Sequence, residues 1–300
     1  MLTSSILVPL LAAVATAQKL CGSTEVPDHL RRKTQTVQRT RTHARSGWDF
    51  RFSHDRSLLV DTYMHVVAAN ETEEGGWIPD SKVQEQFQVL NKAYKQVGIQ
   101  FKLKEVNRIV NPRAHSWFTL NDVEVEENTE FRKKTRKGGY DALNIYFRDL
   151  GRDMGGFCPF PEEIYAGGEL AAPETLFLDG CEVNFETVPG GSHPVWNLGG
   201  TVPHEVGHWF GLFHTFQDGC SGGDQVDDTP AQARPSNSTL CEVTKDTCPK
   251  LPGLDPVHNH MDYSSEACRT EFTPGQAERM SMFWNAYRSP ARVDLDLGFD

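Results

Sequence analysis

His204-Glu205-Val206-Gly207-His208-Trp209-Phe210-Gly211-Leu212-Phe213-His214 fits the pattern H-E-x-x-H-x-x-G-x-x-H. A helix turns about 100° per residue, so His204 and His208 lie one turn apart on one face, where two imidazoles can grip one zinc ion. Glu205 stands beside the first ligand and can hold a zinc-bound water without occupying the metal itself. Gly211 suits the backbone conformation that ends the helix and turns the chain sharply, so that His214 returns as the third ligand. Three protein ligands leave one position open, which is the arrangement of a catalytic rather than a structural zinc. Histidines on an amphipathic helix often bind nothing. Here Gly211 and His214 fall where the geometry needs them, and they carry the reading from a common pentapeptide to a metal site.

Upstream of this motif the periodicities alternate. Leu58 to Val67 is apolar and β-branched and predicts a strand. Pro79-Asp80-Ser81 opens a helix with Val83, Phe87, Leu90 and Tyr94 on one face, and Gly98 ends it. Ile99 to Val110 and Ala142 to Phe147 predict two more strands. Thr175 to Leu178 and Cys181 to Val188 predict short strands near the site. Asn121 to Lys137 is charged and reads as a loop with a short helical piece. Downstream, residues 215–262 are rich in Gly, Pro, Asp, Ser and Cys and predict loops. Thr273-Pro274-Gly275-Gln276 then combines a capping box with Pro at the first helical position. Met280, Phe283, Trp284 and Tyr287 form the apolar stripe of that last helix, a core feature rather than a cofactor contact. The sum is an α+β fold.

The first 17 residues read as a signal peptide, with an apolar Ser4 to Ala17 and an Ala15-Thr16-Ala17 cleavage site. No later run is long and apolar enough to span a membrane, so no membrane anchor is expected and the protein reads as secreted. Residues 18–48 lack apolar periodicity and read as a propeptide, released at Arg45 or near it; 49–300 is the catalytic domain. Its upper subdomain runs to about 211 and its lower subdomain over 212–300. Residues 1–45 hold seven Lys/Arg against two acids, whereas the chain as a whole carries −11. A basic head on an acidic body suits a removable segment that docks on that body, and an acidic body repels nucleic acid. Seven cysteines fit an oxidising compartment and leave one unpaired. Asn70-Glu71-Thr72 and Asn237-Ser238-Thr239 are N-glycosylation acceptors.

With the long motif on a helix that ends in Gly, the chain resembles the metzincin metalloproteases, whose signature also includes a Met-turn. Asn259-His260-Met261-Asp262-Tyr263 is the matching turn. Val188-Pro189-Gly190-Gly191, Asn197-Leu198-Gly199 and Gly223 to Pro230 narrow the resemblance to the pappalysin group, particularly its secreted fungal extracellular metalloproteases. The likeness spans roughly residues 50–290. It implies a metzincin-like mixed twisted sheet, a zinc-binding active-site helix, and a loop-rich, disulfide-stapled lower subdomain ending in a helix. It implies Met261 as an apolar floor beneath the imidazoles and Tyr263 as a hydroxyl that steadies the reacting carbonyl oxygen. It implies the disulfides Cys220–Cys248 and Cys241–Cys268; Cys158 and Cys181 are candidates for a third. It implies calcium near Asp224, Asp227 and Asp228, where carboxylates suit that ion. It places an extended substrate antiparallel to an edge strand around Leu178 to Asn184. It also sets Glu266 in the wall of the pocket for the residue after the scissile bond, where an acid favours Arg or Lys.

Cys21, left over and followed by Gly22, reads as a zymogen switch whose thiolate fills the open zinc position. The expected function is thus a secreted, monomeric zinc-dependent endopeptidase with one catalytic Zn2+ and protein or peptide substrates. In it Glu205 serves as base and then acid toward a zinc-activated water. Two other readings exist: an inactive zinc protein that captures peptides, which the presence of Glu205 opposes, and a zinc hydrolase of small amides.

Overall fold

The computed structural model describes residues 19–43 apart from Thr24, 57–116, 122–166 and 169–289. The expected signal peptide and the expected cleavage site near Arg45 lie outside the described residues. The chain begins with a short strand β1 (Lys19–Cys21) and a helix α1 (Asp28–His43). Next come β2 (Leu58–Ala68), α2 (Asp80–Tyr94), β3 (Ile99–Val110), α3 (Pro112–His115) and α4 (Asp122–Thr135). They are followed by β4 (Leu143–Arg148), β5 (Met154–Phe157), β6 (Tyr165–Ala166), β7 (Glu169–Leu170), α5 (Pro173–Leu178) and β8 (Cys181–Asn184). The last elements are α6 (Thr201–Trp209), α7 (Gly219–Gly222) and α8 (Pro274–Phe283), which runs on as a π-helical turn through Arg288.

Six strands form one mixed sheet in the order β1-β5-β8-β4-β2-β3. The pairs β3–β2, β2–β4 and β4–β8 are parallel, and β5 turns antiparallel against β8. Alternating side chains point to opposite faces. Val66, Ile145 and Phe147 therefore join the main core under α2 and α6, while Val67 and Tyr146 join Ala114, Ile109 and Phe131 on the other face. With both faces covered, the central strand β4 is buried along its whole length. α2 ends as its sequence requires: a 3-10 turn, Lys95–Val97, leads to Gly98 at φ 73°, a left-handed conformation that glycine adopts without steric cost.

Three elements differ from the sequence expectation. Thr175 to Leu178 belongs to the helix α5 rather than a strand. An apolar run of four residues has no readable period, and Pro173 in the first helical turn was the missed signal. Asn121 to Lys137 is mostly the 14-residue helix α4 rather than a loop. It docks through Arg132, whose guanidinium binds Glu182 (2.9 Å) and the carbonyls of Leu178 and Asp179 (3.1 and 2.8 Å). A helix held by a buried charge shows no apolar stripe. The basic head, too, contains a 16-residue helix, α1, seated by Val26 and Leu30 against Phe160, Phe213 and Tyr287.

Beyond α6, regular structure nearly vanishes until α8. Cys220–Cys248 and Cys241–Cys268 staple these loops, and Cys158–Cys181 ties the segment after β5 to β8. Buried carboxylates replace a ladder. Asp255 accepts from Thr247 N (2.9 Å) and pairs with Lys245 (3.1 Å), and Asp262 Oδ1 accepts from Gln232 Nε2 (2.9 Å) and Ser236 N (3.1 Å). α8 has the expected capping box of Thr273 and Gln276. The joint between the two halves is Asp179. It accepts from Arg288 through both oxygens (2.9 and 3.1 Å), from Arg136 (3.2 Å) and from the Trp209 indole at the end of α6 (3.2 Å).

Candidate metal centre and active site

Every residue of α6 is buried. The helix ends at Gly211, φ 87°, where a Cβ would collide with the Phe283 ring. That turn brings His214 back beside the helix. His204 Nε2 and His208 Nε2 each lie 3.2 Å from His214 Nε2, so three ring nitrogens face a common point. Their other nitrogens are committed: His204 Nδ1 donates to the His260 carbonyl (2.7 Å) and His208 Nδ1 to the Leu212 carbonyl (2.8 Å), while His214 is bonded to Gln217. Such outer bonds fix the tautomer that leaves Nε2 free as a ligand. Burial holds His204 and His214 well below the ordinary imidazole range and His208 at about 4. Neutral imidazoles whose lone pairs converge at this distance repel one another unless a cation lies between them. The donor set therefore fits a metal ion, and its chemistry suits zinc.

Glu205 is fully buried, and burial raises its carboxyl to about 8. Strand β5 passes directly over it, since a Cβ on Gly156 would meet its side chain. Met261 is buried beneath the helix and fills the space that the missing side chain of Gly207 leaves. Asn259 fastens the turn by accepting from Met261 N (2.9 Å) and by bonding Gln276 of α8 (2.8 Å). Tyr263 places its hydroxyl 3.2 Å from His214 Nε2.

Cys21 stands among these groups. It is the free cysteine and is fully buried, and its Sγ lies with the three histidine nitrogens in one group spanning less than 4.8 Å. The thiol donates to Glu205 Oε2 (3.2 Å) and accepts from Ser23 N (3.2 Å). Burial and the neighbouring Glu205 push the thiol up. β1 carries it there by pairing parallel with β5, and Ser23 locks on by donating to and accepting from the backbone of Cys158 (2.8 and 3.1 Å). Arg31 adds an ion pair in which Nη1 donates to both oxygens of Asp218 (2.6 and 2.5 Å). β5 thus lies between β1 and β8, and without β1 it would be the edge of the sheet on this side. The expected edge around Leu178 to Asn184 is corrected: β8 is an inner strand, flanked by β5 and β4.

Among the described residues Asp224, Asp227 and Asp228 do not gather into a metal-sized group. Asp224 is buried and accepts from Val226 N (2.9 Å). Asp228 caps α8 by accepting from Thr273 Oγ1 (2.7 Å) and Gly275 N (2.8 Å). Glu266 is buried too, accepts from Leu198 N (2.7 Å) and faces Arg269. Sequence reasoning missed Ser23, Asp179 and Arg269, because single polar residues without a period or motif leave no signal. Asn70 and Asn237 are both exposed.

Comparison with known proteins agrees with this geometry. The family model described as Pregnancy-associated plasma protein-A matches residues 191–285, and one described as reprolysin-like metallo-peptidase matches 81–215. An extracellular metalloprotease of Colletotrichum graminicola is 45% identical over 235 residues, covering 78% of each chain. One of Neurospora crassa is 40% identical over 288 residues, covering 94% of each. Among solved structures, Tannerella forsythia promirolysin superposes with a TM-score of 0.65 at 25% identity, covering 89% of this chain and 94% of its own. Mature mirolysin in complex with a cleaved peptide gives 0.62 at 26% identity and covers 77% and 92%. The expected fold class and family are borne out: the chain belongs to the pappalysin group of metzincin metalloproteases and is a zinc metalloendopeptidase.

Proposed function

We propose that this chain is made as a secreted, latent precursor in which His204, His208 and His214 hold one Zn2+ and Cys21 occupies the position that water needs. The observation that carries this is the group of three converging imidazole nitrogens completed by the Cys21 sulfur. With zinc held by the three histidines, Cys21 Sγ would supply the fourth ligand, and the thiol proton would have Glu205, 3.2 Å away, as its acceptor. The direction of β1 supports latency. It runs parallel to β5, whereas a substrate that pairs antiparallel to that edge runs the other way, so the segment does not present its own peptide bonds as a substrate does. Cleavage between α1 and β2, at Arg45 or nearby, frees the segment. The apolar residues 4–17 and the extracellular names of the relatives support export. Among the described residues no helix is long and apolar enough to cross a membrane.

Zinc, when bound, supplies a Lewis acid that activates water and polarises a carbonyl. Glu205 takes the proton from that water and hands it to the departing amine, as base and then acid. Its buried, raised carboxyl suits both roles. The Tyr263 hydroxyl donates to the substrate carbonyl oxygen as negative charge develops there. Met261 keeps the imidazoles seated. The enzyme acts as a monomer on proteins and peptides. Asp227 and the carbonyls around it remain candidate oxygens for calcium, and chelated enzyme that regains full thermal stability with zinc alone removes that reading.

Glu205→Gln in the processed enzyme is expected to keep one zinc per chain by metal analysis and to lose casein hydrolysis by at least about a thousand-fold. Retained hydrolysis overturns the assignment. The precursor Cys21→Ser is expected to cleave peptides without processing. A serine variant as latent as the parent rules the switch out.

A further inference from the structure

The three disulfides differ in what surrounds their sulfurs. Cys158–Cys181 is sealed, with both cysteines fully buried. Cys220–Cys248 and Cys241–Cys268 each join an exposed cysteine, Cys220 or Cys241, to a buried one. A thiolate from solvent attacks the accessible sulfur and expels the other, so Cys248 or Cys268 would be the leaving group. Around Cys220–Cys248 the neighbours oppose new negative charge. Cys220 Sγ lies 3.5 Å from the Thr247 carbonyl oxygen, and Cys248 N donates to the Asp246 carboxylate (3.1 Å). Around Cys268 they favour it. His258 Nδ1 lies 2.9 Å from the Cys268 carbonyl oxygen and 3.5 Å from Cys268 Sγ. A carbonyl only accepts, so Nδ1 carries its hydrogen, and that N–H reaches the sulfur as well.

The same bridge fastens the loop that carries the methionine floor. His258 O accepts from Thr270 N (2.7 Å) and Glu271 N (3.1 Å), and His260 N donates to Glu271 O (2.9 Å). The loop closed by these bonds contains Met261 and Tyr263. Its far side is held to the neighbouring loop twice. Ser265 N donates to Leu240 O (3.0 Å), and the next residue, Cys241, is joined to Cys268. Opening the bridge removes the covalent part of that fastening.

We infer that Cys241–Cys268 is a thiol-exchange site, at which a small-molecule thiol of the glutathione class becomes linked to Cys241. The sulfur of the incoming thiolate bonds to Cys241 Sγ, the Cys241–Cys268 S–S bond breaks, and its electron pair stays on Cys268 Sγ. The Nδ1–H of His258 donates to the thiolate so formed. One disulfide is exchanged for another, so no further oxidant or reductant enters. The modified chain carries the adduct on its exposed cysteine, and the loop that holds Met261 and Tyr263 is loosened. Exchange therefore lowers peptide cleavage while the three histidines keep their metal, a consequence that rests on the endopeptidase reading above.

The experiment treats the full-length chain with reduced glutathione, stops the reaction at early times with excess iodoacetamide, and maps the cysteines by peptide mass. The first product is expected to carry glutathione on Cys241 and the alkyl group on Cys268, with Cys158–Cys181 and Cys220–Cys248 intact. An adduct that forms first on Cys220, Cys248 or Cys268, or no adduct at all, overturns the inference. His258→Phe removes the N–H and should slow formation of the Cys241 adduct about ten-fold, whereas His258→Asn, which offers an amide N–H at similar reach, should restore most of the rate. His258→Leu takes the place of the Phe variant if that one fails to fold. An unchanged rate without the N–H overturns the role of His258. In the processed enzyme the exchanged form should keep one zinc per chain, lose casein hydrolysis by about five-fold or more, and show quickened amide exchange in residues 258–271. Full activity, or activity lost together with zinc, overturns the coupling to the metal centre. If the untreated enzyme cleaves no peptide, the endopeptidase reading fails instead, and the cysteine map still decides the exchange site.

Discussion

The sheet layer before Gly211 and the loops between His214 and Asn259 solve the same problem by different means. In the first, apolar side chains recur with strand or helix period, and main-chain ladders satisfy the backbone while the side chains exclude water. In the second, few apolar residues are buried, and disulfides and buried carboxylates hold the chain. Yet both supply the active site: His204, Glu205 and His208 come from a helix on the sheet, and Met261 and Tyr263 from the far end of the loops. A rigid helix sets ligand spacing, and a stapled loop, pinned at its end to α8, sets what lies beneath and beside it.

That contrast can be broken by experiment. The largest effect is expected from removing both lower disulfides, Cys220–Cys248 and Cys241–Cys268. Each closes a loop of nearly thirty residues and contributes about 3–4 kcal/mol on the chain-entropy account. Amide exchange should quicken in residues 215–258 and stay slow in β2 and β4. Equal loss in both regions would show that the two halves do not open separately.

Next is Asp179, which touches both. Asp179→Ala leaves the buried guanidiniums of Arg288 and Arg136 without their carboxylate and should cost about 3–5 kcal/mol in denaturant unfolding. Here protection should fall at the end of α6 and in α8 together. A cost under about 1 kcal/mol would mean that the joint lies elsewhere.

The smallest effect is expected from Asp224 in the loops. Burial raises its carboxyl from the ordinary 3.8 to about 7. A raised acid stays protonated in the folded state while the unfolded chain releases its proton. In calcium-free buffer stability should therefore be greatest below about pH 4 on this account and decline up to about 7. Asp224→Asn should flatten that part of the slope, and an unchanged slope would clear Asp224 of the role.

Legibility differed between the regions for the same reason as stability. Strand and helix periods in β2, α2 and β3 could be read because burial selects them, and α8 announced itself by its capping box. α4 and α1 could not, because one is docked by Arg132 and the other by a few apolar contacts and the ion pair of Arg31 with Asp218. The disulfide partners came from family likeness, since cysteine counts leave their pairing open.

By itself the sequence determined the metal-binding triad, the base beside it and the helix that spaces them, because one helical turn and one glycine turn are local geometry. Tertiary structure decided what meets that triad from far along the chain. It brought Cys21 to Glu205 across 184 residues, laid β1 beside β5, and set Arg288 against Asp179 across 109 residues. Such contacts join residues through a packed core, where distance in the chain has no fixed relation to distance in space.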